Sequence, residues 1–220
     1  MEDFSCRLFY STKVMRVVTV IFILLLQSSL LQSQTQVLVE LHKSSSLVIH
    51  GKTNVVSFKL AQDGSKLLSK PLSLVAVQQQ GKLFLSQNIL AIQVESFTAS
   101  NPMIVRDFLK LMKADKYPVL EVQLDHFESA ATPVKDKPLC GDAYVKITIA
   151  EHTRQFKIPV SSHKNKELVV VSGKKKINIR DFGLEPPVEM MGMIKVSEWI
   201  EIDFKLRCKI TVENTFAAQQ

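Results

Sequence analysis

The chain has 220 residues, enough for one domain with a sizeable core, and 46% of them are hydrophobic, which excludes a disordered polyelectrolyte. Its 28 basic and 21 acidic residues give a formal charge of +7. Nucleic acid is not expected as a partner, because the one tight basic run, Lys174 to Lys176, has no interleaved aromatics; transient contact with an anionic membrane surface, or a phosphate-bearing ligand, suits the mild excess better.

Lys13 and Arg16 precede the apolar run VVTVIFILLL, residues 17–26, and the polar stretch QSSLLQSQTQ follows it. A run of about ten residues is too short to cross a hydrocarbon core of about 30 Å. A basic flank, a short apolar centre and a polar exit are the parts of a secretory signal peptide, with cleavage expected after Ser33 and with Met15 as an alternative start. The expected domain is then residues 34–220, in the periplasm or secreted. A buried strand or an uncleaved anchor is the competing account.

The first strongly patterned element is a helix. In SNPMIVRDFLKLMKADKYP, residues 100–118, Ile104, Phe108, Leu111 and Met112 form one apolar stripe, with Arg106, Asp107, Lys110 and Lys113 opposite. Asn101 is a suitable N-cap, Pro102 suits the first helical position, and Pro118 bars continuation, so the spacing predicts a helix over residues 102–113.

Strands follow. LEVQLD, residues 120–125, alternates Leu120, Val122 and Leu124 with polar neighbours, and AYVKITI places Ala143, Val145, Ile147 and Ile149 on one face. From Ile200 to Val212 every even position is apolar or Cys208 and every odd one polar. Such a strand is roughly 40 Å long at about 3.3 Å per residue, with one wet face, which suits a barrel better than a thin sandwich. Turn signals are read at QDGS 62–65, QQGK 79–82, LCGD 139–142 and SGKK 172–175, which makes Lys174 to Lys176 a hairpin tip; ESAATPVKDKP, 128–138, reads as an exposed loop.

Cys140 and Cys208 remain after removal of Cys6, and a disulfide is allowed in an exported protein, although spacing cannot pair them. The predicted strand places Cys208 on the apolar phase. The five histidines show no metal-ligand spacing, and no catalytic motif, phosphate loop or cofactor signature is found, so neither metal, cofactor nor enzymatic activity is expected. Asp181 in IRDFGL reads as a turn residue, with Phe182 packed inward and Gly183 permitting the bend.

Four stretches together resemble the YceI-like family of bacterial polyisoprenoid-binding proteins: SSLVIHGKTNVVSFKL (45–60), VESFTASNPMIVRDFLKLMKADKYPVLEVQL (94–124), GDAYVKITIAEHTRQFKIPV (141–160) and VSGKKKINIRDFGLEPP (171–187). The resemblance spans roughly residues 38–212. It implies an all-β fold, an antiparallel lipocalin-like β-barrel with one short amphipathic helix, exported, holding an isoprenoid-type lipid such as a polyprenyl phosphate or an isoprenoid quinone. The residues themselves agree, since a small barrel can enclose one apolar ligand. Candidate ligand-binding residues on the apolar phases are Phe58, Ile92, Val94, Ile104, Phe108, Leu111, Met112, Val122, Val145, Ile147, Phe204 and Leu206. Two other readings stand beside the lipid carrier: an envelope interaction module whose barrel is filled by its own side chains, and an uncharacterised barrel enzyme. Patterning leaves open whether the helix lines a mouth or packs on the outer wall.

Overall fold

The structure, a computed structural model, describes residues 34–67, 71–79, 82–130, 137–189 and 193–213. The expected signal peptide at 1–33 lies outside the described residues. Period-2 patterning yields strands throughout: β1 Gln34–Leu41, β2 Ser46–Lys52, β3 Ser57–Asp63, β4 Leu72–Gln79, β5 Lys82–Ser86, β6 Ile89–Gln93, β7 Val119–Ser129, β8 Leu139–Ile149, β9 His152–Asn165, β10 Leu168–Asn178, β11 Val188–Glu189, β12 Ile194–Lys195 and β13 Trp199–Glu213. Between them lie helices α1 Gly64–Leu67 and α2 Pro102–Met112, and 3-10 turns at Val94–Ser96 and Ile179–Phe182.

The strands close a ring in the order β1-β4-β5-β7-β8-β9-β10-β13, and β13 returns to β1, every pairing being antiparallel. The fold is a closed eight-stranded antiparallel β-barrel. Three of its staves are broken. β1 and β2 both run antiparallel along β13, with Leu41 opposite Cys208 and Ser46 opposite Lys205. β3 and β4 continue each other beside β2 and β1, and β5 and β6 do so along β7.

A broken stave leaves backbone groups unpaired inside a wall, and each must find another partner. Small polar side chains supply them. Asn88 donates from Nδ2 to the carbonyls of Leu85 (2.6 Å) and Leu124 (2.7 Å), and its Oδ1 accepts from Leu124 N at 2.7 Å. Ser45 Oγ accepts from Arg207 N at 2.9 Å, and Gln62 Nε2 donates to Lys66 O at 3.2 Å. Among the described residues, Ser45, Gln62 and Asn88 are the buried polar side chains, and all three sit at breaks.

Beyond the breaks the ring opens at two seams. Register between β9 and β10 ends at Val160 opposite Gly173, and β3 has no strand partner on its far side except the bridge Ala61–Thr98. The first seam is covered by the turn at Ile179–Phe182, whose fully buried Phe182 packs on Phe156 at 6.0 Å between ring centroids, and by Lys175, which donates from Nζ to Lys157 O at 3.0 Å. Helix α1, the Val94–Ser96 turn and α2 fill the second.

Helix α2 starts and stops as its sequence requires. Asn101 Oδ1 accepts from Met103 N at 2.9 Å, Pro102 is the first helical residue, and Lys113 ends the helix in the left-handed region at φ 52°. Asp181 is an exposed turn residue before Gly183, whose φ is 66°.

Several predicted turns are strand interior instead. LCGD opens β8 and SGKK lies within β10, so Lys174 to Lys176 are mid-strand residues, not a hairpin tip. QDGS is no reversal but the step from β3 into α1, while in QQGK residues 80–81 lie outside the described residues, as do 131–136 of the expected loop, where Glu128 and Ser129 still belong to β7. The glycines misled for a physical reason. Gly51 pairs with Phe58 and Gly173 with Phe204 in register, and Gly141 lies under Phe127. In each case the phenylalanine ring occupies the space a Cβ would need, so glycine marks a flattened aromatic on the wall and not a bend.

Candidate functional site

Inside the ring is a cavity of about 920 Å³. Its wall is the inner phase of the strands. β13 contributes Ile200, Ile202, Phe204, Leu206, Cys208 and Ile210, and β8 contributes Ala143, Val145, Ile147 and Ile149. In β7 the inner row is Leu120, Val122 and Leu124 until the register shifts between Leu124 and His126. That bulge turns Phe127 into the lumen and His126 outward, where the imidazole stacks on Tyr144 at 4.3 Å. Outside, the hydrogen bond from His126 holds Asp125 below the ordinary carboxylate range.

The inner rows enclose open space, although many of their side chains, such as Val145, Ile147 and Leu120, are buried in one apolar cluster. Phe204, Leu206, Ile202, Val122 and Leu124 point inward and pack against the buried cluster, yet remain only half-buried because they also border the cavity. In a barrel filled by its own residues these positions would be buried. Most polar groups on the lining gather at the α2 end: Thr53 and Ser57 beside the β2–β3 hairpin, Ser100 and Asn101 before α2, Asp107, which is paired with Arg106 at 3.3 Å, and Lys175 on β10, while Asn88 sits at the β5–β6 break. Toward the opposite end the lining is apolar apart from Ser162. The arrangement suits a molecule with a long apolar body and a small polar group.

Phe58, Ile92, Ile104, Phe108, Leu111, Met112, Val122, Val145, Ile147, Phe204 and Leu206, all singled out from sequence, line this cavity. Val94 does not. The inner phase of β6 is Leu90 and Ile92, but the chain leaves the strand at Gln93, and Val94 N donates to Pro118 O at 2.8 Å; its side chain is 1% exposed inside the packed turn. Leu47, Ile49, Leu60, Leu67 and Phe127 were missed, and alternation would have found the first three.

Helix α2 presents Ile104, Phe108, Leu111 and Met112 to the lumen, with Phe108 edge-on to Phe97 at 5.3 Å. Cys208 also faces inward, and burial pushes its thiol up to about 11. Cys140 is exposed, on β8, separated from β13 by β9 and β10; both cysteines are free thiols and form no bridge. Among the described residues no cluster of His, Cys, Asp and Glu could hold a metal ion.

An antiparallel barrel closed by eight staves around an apolar lumen, with a short helix in its wall, is of the lipocalin-like class. Within that class the chain belongs to the YceI-like family, whose domain model matches residues 76–208. Among solved structures it resembles a polyisoprenoid-binding domain from Saccharophagus degradans implicated in plant cell wall breakdown, at 13% identity and a TM-score of 0.56, covering 82% of this chain and 99% of that one. It also matches BcnA of Burkholderia cenocepacia (18% identity, TM-score 0.47, 74% of this chain and 95% of that one) and a YceI protein of Campylobacter jejuni (17%, 0.45, 63% and 74%). No curated protein matches the chain.

Proposed function

We propose that the protein carries or stores an isoprenoid-type lipid, a polyprenyl phosphate or an isoprenoid quinone, inside its barrel. One observation carries this: the barrel is hollow and its lining is apolar over most of its length. The filled-barrel alternative requires every inner row to be buried; the β8 row from Ala143 to Ile149 is, but the half-buried Phe204, Leu206 and Ile202 speak against it. Binding is favoured over catalysis, since among the described residues no histidine lines the lumen and the lining carboxylate, Asp107, is engaged by Arg106.

The dimensions set the tail length. The lining row from Ile200 to Ile210 rises about 33 Å along a strand, or about 25 Å along the barrel at a tilt of about 40°. Three backbone bonds extend to at most about 3.6 Å, so a four-bond isoprene repeat extends to about 4.8 Å and about five repeats fit end to end. Their burial contributes roughly 20 kcal/mol gross at about 0.8 kcal/mol per carbon, before the cost of ordering the chain. The polar group would sit among Thr53, Ser57, Ser100 and Asn101.

The same proposal places the protein outside the cytoplasm, on the apolar run at 17–26 and its flanks. Native mass spectrometry of protein purified from its own host tests the ligand: an adduct with an isoprenoid mass ladder is expected, and a bare polypeptide mass overturns the carrier. N-terminal sequencing tests export, with a mature start near Gln34 expected and a cytoplasmic chain starting at Met1 or Met15 against it.

A further inference from the structure

The end of the barrel that holds α2 carries an unusual set of exposed apolar side chains. Val55 and Val56 at the tip of the β2–β3 hairpin are 70% and 61% exposed, and Met193 is 65% exposed. They form one surface, because the hairpin is bonded to the segment before β13. Asn54 Nδ2 donates to Met193 O at 2.8 Å, Asn54 N donates to Lys195 O at 3.1 Å, and Lys195 N donates to Asn54 Oδ1 at 3.0 Å. Val188, also exposed, pairs with Lys195 in the β11–β12 ladder. Ser197 N donates to Lys52 O at 2.8 Å, which brings in Trp199 two residues on, the one tryptophan of the chain and itself exposed.

Lys52 and Lys195 are exposed and take part in no ion pair among the described residues. Lys176 lies over the Trp199 ring at 5.0 Å. Two of the nearby carboxylates are engaged: Glu185 and Glu198 both hold Arg180, at 2.5 and 2.8 Å. Apolar tips beside unpaired lysines and an exposed tryptophan are the composition of a face that enters the headgroup region of an anionic bilayer. The surface is also continuous with the lumen, since Val56, Pro187, Ile194 and Val196 line the cavity.

We propose that this end docks on an anionic lipid surface, with Val55, Val188, Met193 and Trp199 entering the interface and Lys52 and Lys195 meeting lipid headgroups. Resting on the carrier reading, it gives the apolar tail a path between bilayer and lumen that does not cross water.

The full mature chain is tested by co-sedimentation with vesicles of phosphatidylcholine alone or mixed with phosphatidylglycerol. Binding to the anionic vesicles only, weakened by salt, is expected, with a blue shift of Trp199 emission and quenching by brominated acyl chains. Val55→Asp/Met193→Asp is expected to lower the partition about tenfold or more, and Lys52→Glu/Lys195→Glu to remove the preference for anionic lipid. Ile89→Asp, exposed on the outer wall, should bind as wild type. Wild-type partitioning of the Val55→Asp/Met193→Asp variant, or unshifted Trp199 emission on bound vesicles, overturns the proposal. So does sedimentation velocity showing that this face instead joins two copies, which the same variant separates. Mass spectrometry of each variant's bound lipid keeps the two ideas apart: lost docking with retained lipid concerns the surface alone, and absent lipid in every variant defeats the carrier reading alone.

Discussion

Replacing Gly173 by valine should block the barrel while leaving it folded. Gly173 faces Phe204 across β10 and β13, and a Cβ at that position would lie 2.7 Å from Phe204 Cζ and 3.0 Å from both Pro159 O and Val160 Cγ1. The carbonyl is fixed by the sheet, so the ring must leave the wall, and its free direction is the lumen. Phe204 lies midway along the lining row between Ile200 and Ile210. An eight-stranded bore is just wide enough for side chains to fill, so a ring turned inward at mid-height closes it. The remaining depth, about 12 Å, holds between two and three extended isoprene repeats by the bond-length estimate above. About half the tail contacts are lost, roughly 10 kcal/mol gross at about 0.8 kcal/mol per carbon, an upper bound because a shorter tail orders at less cost. Stability should move far less. Crowding costs about 1–3 kcal/mol, partly offset by up to about 1 kcal/mol from the better strand propensity of valine. The assay pairs mass spectrometry of bound lipid with a urea titration. Gly173→Val should show low occupancy or a shift to short tails at a midpoint near wild type, and Gly173→Val/Phe204→Ala should recover the long tails. A wild-type tail distribution in folded Gly173→Val would refute the reasoning.

Phe108→Asp should bury a carboxylate between Phe97 and the lumen, costing several kcal/mol and releasing lipid, whereas Phe108→Leu should cost under about 1.5 kcal/mol and retain it; full occupancy in folded Phe108→Asp counts against a ligand contact there. Asn88→Ala leaves Leu85 O, Leu124 O and Leu124 N without their side-chain partner and should lower stability by about 2–4 kcal/mol in a urea titration; a loss below about 0.5 kcal/mol means that water replaces the amide. Cys140 should alkylate at once under native conditions and Cys208 only on unfolding, since burial holds its pKa at about 11; peptide mapping after a timed iodoacetamide pulse decides it, and equal labelling would deny the inward position.

What could be read in the sequence follows from how local each signal is. The thirteen-residue alternation of β13 and the apolar stripe of α2 are set by residues a few positions apart, and both stand in the structure. Glycine was the ambiguous letter. In LCGD and SGKK it signals a turn by local statistics, but Gly141 and Gly173 answer to a ring on a neighbouring strand, and that partner is invisible until the register is known. The stave breaks were hidden for a similar reason. Ser45, Gln62 and Asn88 look like ordinary loop residues, and their role as bond donors and acceptors inside a wall appears only once β13, α1 and β7 lie beside them. The bulge in β7 was closer to legible. Leu124 and Phe127 are three apart, which breaks the period-2 row and requires one extra residue between two inward positions.

The helix finds its reason in these breaks. Interrupting β3 and β6 leaves a seam in which neither strand has a strand partner on that side beyond the bridge Ala61–Thr98. Another strand would close the gap but also narrow the ring, and an irregular loop would bring unpaired backbone groups to an apolar lumen. A helix satisfies its own backbone bonds and offers one apolar face, so it completes the wall without tightening the ring. It follows that the wall is not uniformly stiff. β8 is hydrogen-bonded to β7 and β9 along nearly its whole length, whereas α2 is held mainly by the burial of Phe108 and Met112 and by its two ends. Displacing the helix breaks apolar contacts but no ladder, and it lies at the end where the polar lining collects and the exposed valines and lysines stand. A part of the wall held without a strand ladder and the end proposed to meet a membrane are therefore the same place, as entry of a long tail into a closed barrel would require.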